Sequence, residues 1–234
     1  MTILNKISLM ALVFSVGTAT PLLATTIAPG ATNSPIATAS GVLTTIVATT
    51  GPQAFAFGGP TGSHPFPLDT GFVTEMVGIT GVNPYGASDL TFEYQFNVTG
   101  GLYGDISALT GSDFSGFLTD VSESTGYLSG FSGPEVAAGS VSRSADGINV
   151  QFNFHSAGDV FPGQTSYILI VNTNASFFDA TSIGLLDSGS DSYDGFGPTT
   201  SNHNLLPTPE PSSLFLLGTG LLGMGAAVRR RFSI

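Results

Sequence analysis

The densest chemistry in this 234-residue chain is the run Asp187-Ser188-Gly189-Ser190-Asp191-Ser192-Tyr193-Asp194-Gly195. Asp187, Asp191 and Asp194, with hydroxyl and carbonyl oxygens on a glycine-bent loop, could surround Ca²⁺, which takes ~6–8 oxygen ligands. The spacing is not that of an EF-hand: no acid stands at the third position and the final bidentate Glu is absent. A solvated turn explains the composition equally well. Asp113 with Asp120, and Asp120 with Glu123, are the pairs closest to what glycoside hydrolysis asks, two acids ~5–10 Å apart. They sit in Gly/Ser/Thr-rich segments with no apolar neighbour to raise one pKa, so they read as acids facing outwards on a sheet. His64, His155 and His203 are scattered, whereas zinc needs three or four converging ligands. There is no cysteine and no nucleophile elbow. Gly218-Thr219-Gly220-Leu221-Leu222-Gly223 spells a dinucleotide fingerprint, but a proline-rich segment precedes it and the chain ends soon after, so close helix packing explains it better. No catalytic residue and no cofactor is assigned.

The elements that must position these groups are strands. Leu90, Phe92, Tyr94, Phe96 and Val98 alternate with Thr91, Glu93, Gln95 and Asn97, one apolar and one solvated face at period two. Ile148–Phe154 repeats the pattern, with Val141–Arg143 as its returning arm across an Asp146-Gly147 turn. Tyr167–Val171 is apolar on both faces and reads as central. Val42–Ala48, Phe72–Ile79, Phe114–Val121 and Ile183–Asp187 are weaker candidates. With 31 Gly and 14 Pro the chain is rich in helix breakers, while 41 % hydrophobic residues and 18 Phe supply a core. Many short strands and turn-rich connections predict an all-β, antiparallel β-sandwich over residues 25–196, immunoglobulin-like or jelly-roll in topology. A linker rich in Pro, Thr, Ser and Asn follows over 197–208.

Charge narrows the partners. Fifteen of the 16 acids lie between Asp69 and Asp194, against the single Arg143. Such a surface repels phosphate backbones, so nucleic acid is excluded as a ligand of this region.

The ends are different in kind. Met1–Lys6 is a short basic stretch and Ile7–Gly17 an apolar one, too short to span a bilayer but fitting an export signal over residues 1–24, with cleavage after Ala19 or Ala24. At the other end, Pro209-Glu210-Pro211 precedes an uncharged segment, 212–228, followed by Arg229-Arg230-Arg231. Seventeen residues rise about 25 Å as a helix, the minimum for a single transmembrane span. The arginines stop it on the cytoplasmic side, which leaves Glu210 and the body outside. The two prolines predict an extended, accessible handle.

Handle, hydrophobic helix and terminal arginines, in that order, resemble the PEP-CTERM sorting signal carried by exported proteins of Gram-negative bacteria. The stretch Gly139–Ala175 resembles the body of such proteins more loosely. The resemblance implies recognition by exosortase, a membrane-embedded transpeptidase-like enzyme, through Pro209, Glu210, Pro211, Arg229, Arg230 and Arg231. It also implies inner-membrane anchoring before processing, then a place at the cell surface or in an exopolysaccharide or biofilm matrix. With no catalytic constellation in view, the expectation is a non-enzymatic surface or matrix protein. A carbohydrate-binding module using Tyr85, Tyr94, Tyr103, Tyr127 and Tyr193 is the second reading, and a polysaccharide hydrolase the third.

Overall fold

The computed structural model describes residues 25–37, 43–57, 69–101, 106–155, 158–187 and 190–201. The export signal, the sorting segment, the transmembrane stretch, His64, His203 and Tyr103 lie outside the described residues. Sixteen strands follow in order: β1 (Thr25–Thr26), β2 (Thr32–Asn33), β3 (Ile36–Ala37), β4 (Thr45–Thr49), β5 (Gln53–Ala56), β6 (Thr70–Ile79), β7 (Leu90–Gly100) and β8 (Ala108–Gly111). They continue with β9 (Thr119–Ser124), β10 (Glu135–Val136), β11 (Ser140–Arg143), β12 (Val150–Asn153), β13 (Thr165–Ser166), β14 (Ile168–Thr173), β15 (Phe177–Leu186) and β16 (Ser190–Thr199). No helix occurs among the described residues.

The strands form two sheets. In the first, β9, β14, β7 and β6 lie side by side, with β1 and β3 on β9 and β4 and β5 on β6. The second runs β16-β15-β8-β12-β11-β2. Every pair in the second sheet is antiparallel. The first sheet is mixed: β3 pairs with β9, and β10 with β13, in parallel. That departs from an all-antiparallel arrangement because these two-residue strands arrive through long connections rather than tight hairpins.

The alternation read in β7 positions the core. Phe92, Tyr94 and Phe96 point inwards from the first sheet and join Leu109, Phe152, Ile183 and Leu185 from the second in one apolar cluster. Edge-to-face pairs lock the rings: Phe92 on Phe114 at 5.6 Å and Phe96 on Phe154 at 5.4 Å between centroids. The Asp146-Gly147 turn forms as predicted. Gly147 takes φ +74°, which its lack of Cβ permits, and the Asp146 carboxylate accepts the Ile148 N–H at 3.0 Å. β11 then returns with Val141 opposite Phe152.

Three expectations are corrected. Thr91, Glu93 and Gln95 are buried, not solvated, because other segments cover the outer face of the first sheet: Asn83 lies against Thr91 at 3.4 Å, and the segment from Gly126 to Phe131 crosses over Gln95. Gln95 anchors it, donating to Gly126 O at 2.8 Å and accepting from Leu128 N at 2.6 Å. Second, the strand expected over Phe114–Val121 begins only at Thr119. Arg143 takes the carbonyls of Phe114 and Phe117, at 2.6 and 3.0 Å, and so withdraws them from any ladder. Third, β16 continues through Gly197–Thr199, three residues into the stretch read as linker. Its inner neighbour β15 pairs with it from Phe177 to Leu186.

Candidate functional site

Asp187, Asp191 and Asp194 belong to the antiparallel β15–β16 pair rather than to one bent loop. Asp187 follows β15, while Asp191 and Asp194 stand on β16 opposite Leu185 and Ser182. Strand residues three apart face opposite sides, so Asp191 and Asp194 diverge. Asp191 is engaged locally: one oxygen accepts Ser192 N–H at 2.8 Å and the other the Tyr193 hydroxyl at 2.9 Å. That contact and burial raise the Tyr193 pKa, burial contributing more. The main chain of Asp194 is clasped by Gln53, whose amide donates to Asp194 O at 2.6 Å and accepts from Asp194 N at 3.0 Å. Among the described residues no three His, Asp or Glu side chains gather as a metal site.

The carboxylate pairs fare differently from the expectation. Asp120 and Glu123 both lie on β9, again three apart and on opposite faces. Asp120 points to the outer side with Asn172 opposite it. Glu123 accepts the Ala138 N–H at 2.9 Å. Both are buried, and burial pushes each carboxyl up to about 6. The correction has a simple cause: burial comes from strands distant in sequence, with Leu169 and Ala37 beside Glu123 and Asn172 and Thr26 beside Asp120. Asp113 sits apart in an exposed loop with φ +69°. Asp120 and Glu123 therefore do not face a common substrate position. His155 is exposed, with Nδ1 3.3 Å from the Asp159 carboxylate.

The tyrosines share no platform. Tyr94 is wholly inside the core. Tyr193 packs inwards on Phe55, centroids 6.3 Å apart. Tyr85 is half-buried with its hydroxyl enclosed. Among the described tyrosines only Tyr127 is broadly exposed, and its hydroxyl donates to Gly133 O at 2.6 Å.

Two acids passed over in the sequence prove the most unusual. Glu75, on β6, points into the core, where one oxygen accepts Phe196 N–H of β16 at 2.7 Å and the Tyr94 hydroxyl lies alongside. Gly195 and Gly111 leave room: a Cβ on Gly195 would come within 3.0 Å of the Glu75 carboxyl, and one on Gly111 within 2.6 Å of the Tyr94 hydroxyl. Burial drives the Glu75 pKa well up. Glu93, on the outer face of β7, lies between Met76 and Ile170, and burial raises it to about 8. The signal for its cover was Tyr167–Val171, apolar on both sides. A roof over Ile168 and Ile170 must also extend over their neighbour Glu93.

The single cation of the body is spent internally. Arg143 is buried. Its five N–H groups reach Gly147 O, Ile27 O, Thr119 Oγ1, Phe114 O and Phe117 O, at 2.6–3.2 Å. No basic side chain is left to bind an anionic ligand among the described residues.

Among the described residues no helix is long and apolar enough to cross a membrane. The six residues read as the sorting signal, Pro209, Glu210, Pro211, Arg229, Arg230 and Arg231, all fall within residues 207–231, which match the PEP-CTERM protein-sorting motif. No curated protein and no solved structure matches the chain significantly. The chain carries a PEP-CTERM sorting signal, and with it the mark of an exported protein handled by exosortase.

Proposed function

We propose that this is a non-enzymatic surface or extracellular-matrix protein, exported by its N-terminal signal, held in the inner membrane by residues 212–228, and released by exosortase. The acidic two-sheet domain is the delivered cargo. The observation that carries this reading is the motif match at 207–231. The dispersal of the carboxyls supports a role without catalysis: Asp120 and Glu123 diverge, and Glu75 and Glu93 are sealed from solvent. The test replaces Pro209–Pro211 by alanines and follows mass and location in the native host. The expected result is an unprocessed chain retained at the inner membrane. Normal trimming and delivery would overturn the assignment.

A second reading, matrix carbohydrate binding, is favoured by one surface. On the outer face of the second sheet, Thr32, Ser142, Gln151, Thr110, Gly184 and Ser192 form a continuous row across six strands. At ~4.8 Å per strand it is roughly 24 Å long. It is uncharged, unlike the acidic remainder, and its hydroxyls and amides suit a neutral polyol rather than an anionic polymer. Retardation of the delivered protein in gels containing neutral polysaccharide, lost in Thr110→Glu/Gln151→Glu, is the expected result. Equal mobility with and without every neutral polymer tried rejects this reading.

A further inference from the structure

The outer face of the first sheet combines a buried carboxyl, an apolar strip and a crossing segment held by few bonds. Glu93 is inaccessible to solvent, and no side chain donates a hydrogen bond to its carboxyl. Met76 and Ile170 flank it on β6 and β14, and Leu128 packs with Ile168, Ile170 and Met76 above the sheet. Leu43, also buried, covers Gly78 nearby, and its main chain gives the charged form only a partial offset. The elements around Glu93 bring no cation. β6 contributes Thr74 and Met76, β14 Ile168, Ile170 and Asn172, and β9 Ser122, Ser124 and the acid Asp120. Glu135, which accepts Gly126 N–H at 2.7 Å, is the titratable group at the root of the crossing segment. Arg143 is fully committed elsewhere.

A carboxylate with no cation beside it is costly in such surroundings, so the closed arrangement strongly favours the neutral acid. The attachment of the roof is light. It consists of the two Gln95 bonds, a Thr74–Ser129 hydroxyl contact at 3.4 Å and the apolar seat of Leu128. Gly126, Ser129 and Gly130, all at positive φ, give the segment its bends.

We propose that Gly126–Phe131 is a proton-latched roof, closed while Glu93 is neutral and released from the Met76–Ile168–Ile170 strip when Glu93 ionises. The open state lets Glu93 titrate near the usual carboxylate range, whereas the closed state holds its proton to about pH 8. The closed-to-open ratio is therefore highest below about pH 4.5, and falls as pH rises until it levels off above about 8. Across pH 5 to 9 the fall amounts to roughly several hundredfold.

Amide hydrogen exchange on the full chain in detergent tests this at Leu128, whose N–H is bonded only when the roof is down. Its protection factor, corrected for intrinsic exchange, is expected to drop at least about a hundredfold from pH 5 to pH 9. Glu93→Gln should hold that protection flat, and Glu93→Met should do the same should the amide variant fold poorly. Glu75→Gln, which alters the core but not the roof, should keep the wild-type drop. A flat wild-type profile, or a drop that persists in both Glu93 variants, overturns the proposal.

Discussion

The two sheets dispose of buried charge in opposite ways. The first hides four carboxyls, Glu75, Glu93, Asp120 and Glu123, and no cation; the second hides Arg143 and no acid-base partner for it. The groups do not meet as salt bridges, and their protonation chemistry explains why they need not. A carboxyl shut away from water can keep its proton and become a neutral polar group, so it persists with few hydrogen bonds. A guanidinium cannot shed its charge, so each of its five N–H groups must find an acceptor. Glu93 accordingly has no side-chain donor on either oxygen, and Arg143 has five partners.

Removing the arginine is the severest way to break that comparison. Its side chain ties Ile27 near the N-terminal strand, the loop carbonyls of Phe114 and Phe117, and the turn at Gly147. Arg143→Ala leaves those acceptors buried and unmet, and Arg143→Lys offers three donors where five are used. Both variants are expected to lose about 3–5 kcal/mol in urea unfolding. A loss under about 1 kcal/mol in either would show that water replaces the guanidinium without penalty.

The acids give the next largest effect, with a sign opposite to ordinary acid denaturation. Their folded pKa values lie above the unfolded ones, so the folded state binds more protons. The stability they contribute is complete below about pH 4, and it is lost as pH rises through about 6 for Asp120 and Glu123 and about 8 for Glu93. Urea midpoints at pH 5, 7 and 9 should fall in that order, by a few kcal/mol in total, at ~1.4 kcal/mol per pKa unit before solvent screening. Glu93→Gln should flatten the upper part of the curve. Stability that rises from pH 5 to 9 would mean that these carboxyls are solvated in the folded chain.

What was legible beforehand follows the same division. Period-two alternation located β7, β11 and β12 and the face of each that enters the core, since inward residues are apolar whatever covers the other side. It misplaced Thr91, Glu93 and Gln95, because covers supplied by other segments, Asn83 over Thr91 and Gly126–Phe131 over Gln95, leave no mark on the strand beneath them. β16 went unseen because Ser190–Thr199 carries glycines, serines and a proline, tolerated on an edge strand paired to β15 on one side only. For the acidic run, composition suggested a loop, while the ladder from Phe177 to Leu186 dictated an antiparallel pair that turns Asp191 and Asp194 apart. The sorting signal was legible in full because its code is linear: a proline handle, an apolar stretch and three arginines need no tertiary partner to be read.

The mildest test compares one residue type on the covered and uncovered outer faces. Thr91 sits on the covered outer face of the first sheet and donates to Asn172 Oδ1 at 2.8 Å, while Asn83 donates to its hydroxyl at 3.4 Å. Thr110 occupies the open row of the second sheet, between Gln151 and Gly184. Valine matches threonine in shape and strand preference, so each exchange removes little beyond the hydroxyl. Thr91→Val takes the buried Thr91 donor away from Asn172 Oδ1 and should cost about 1–2 kcal/mol. Thr110→Val loses only contacts that water can supply and should stay within about 0.5 kcal/mol of the parent. Equal costs at the two sites would mean that the outer faces are equally wet, and the segment around Asn83 would then add no shielding to Thr91 below it.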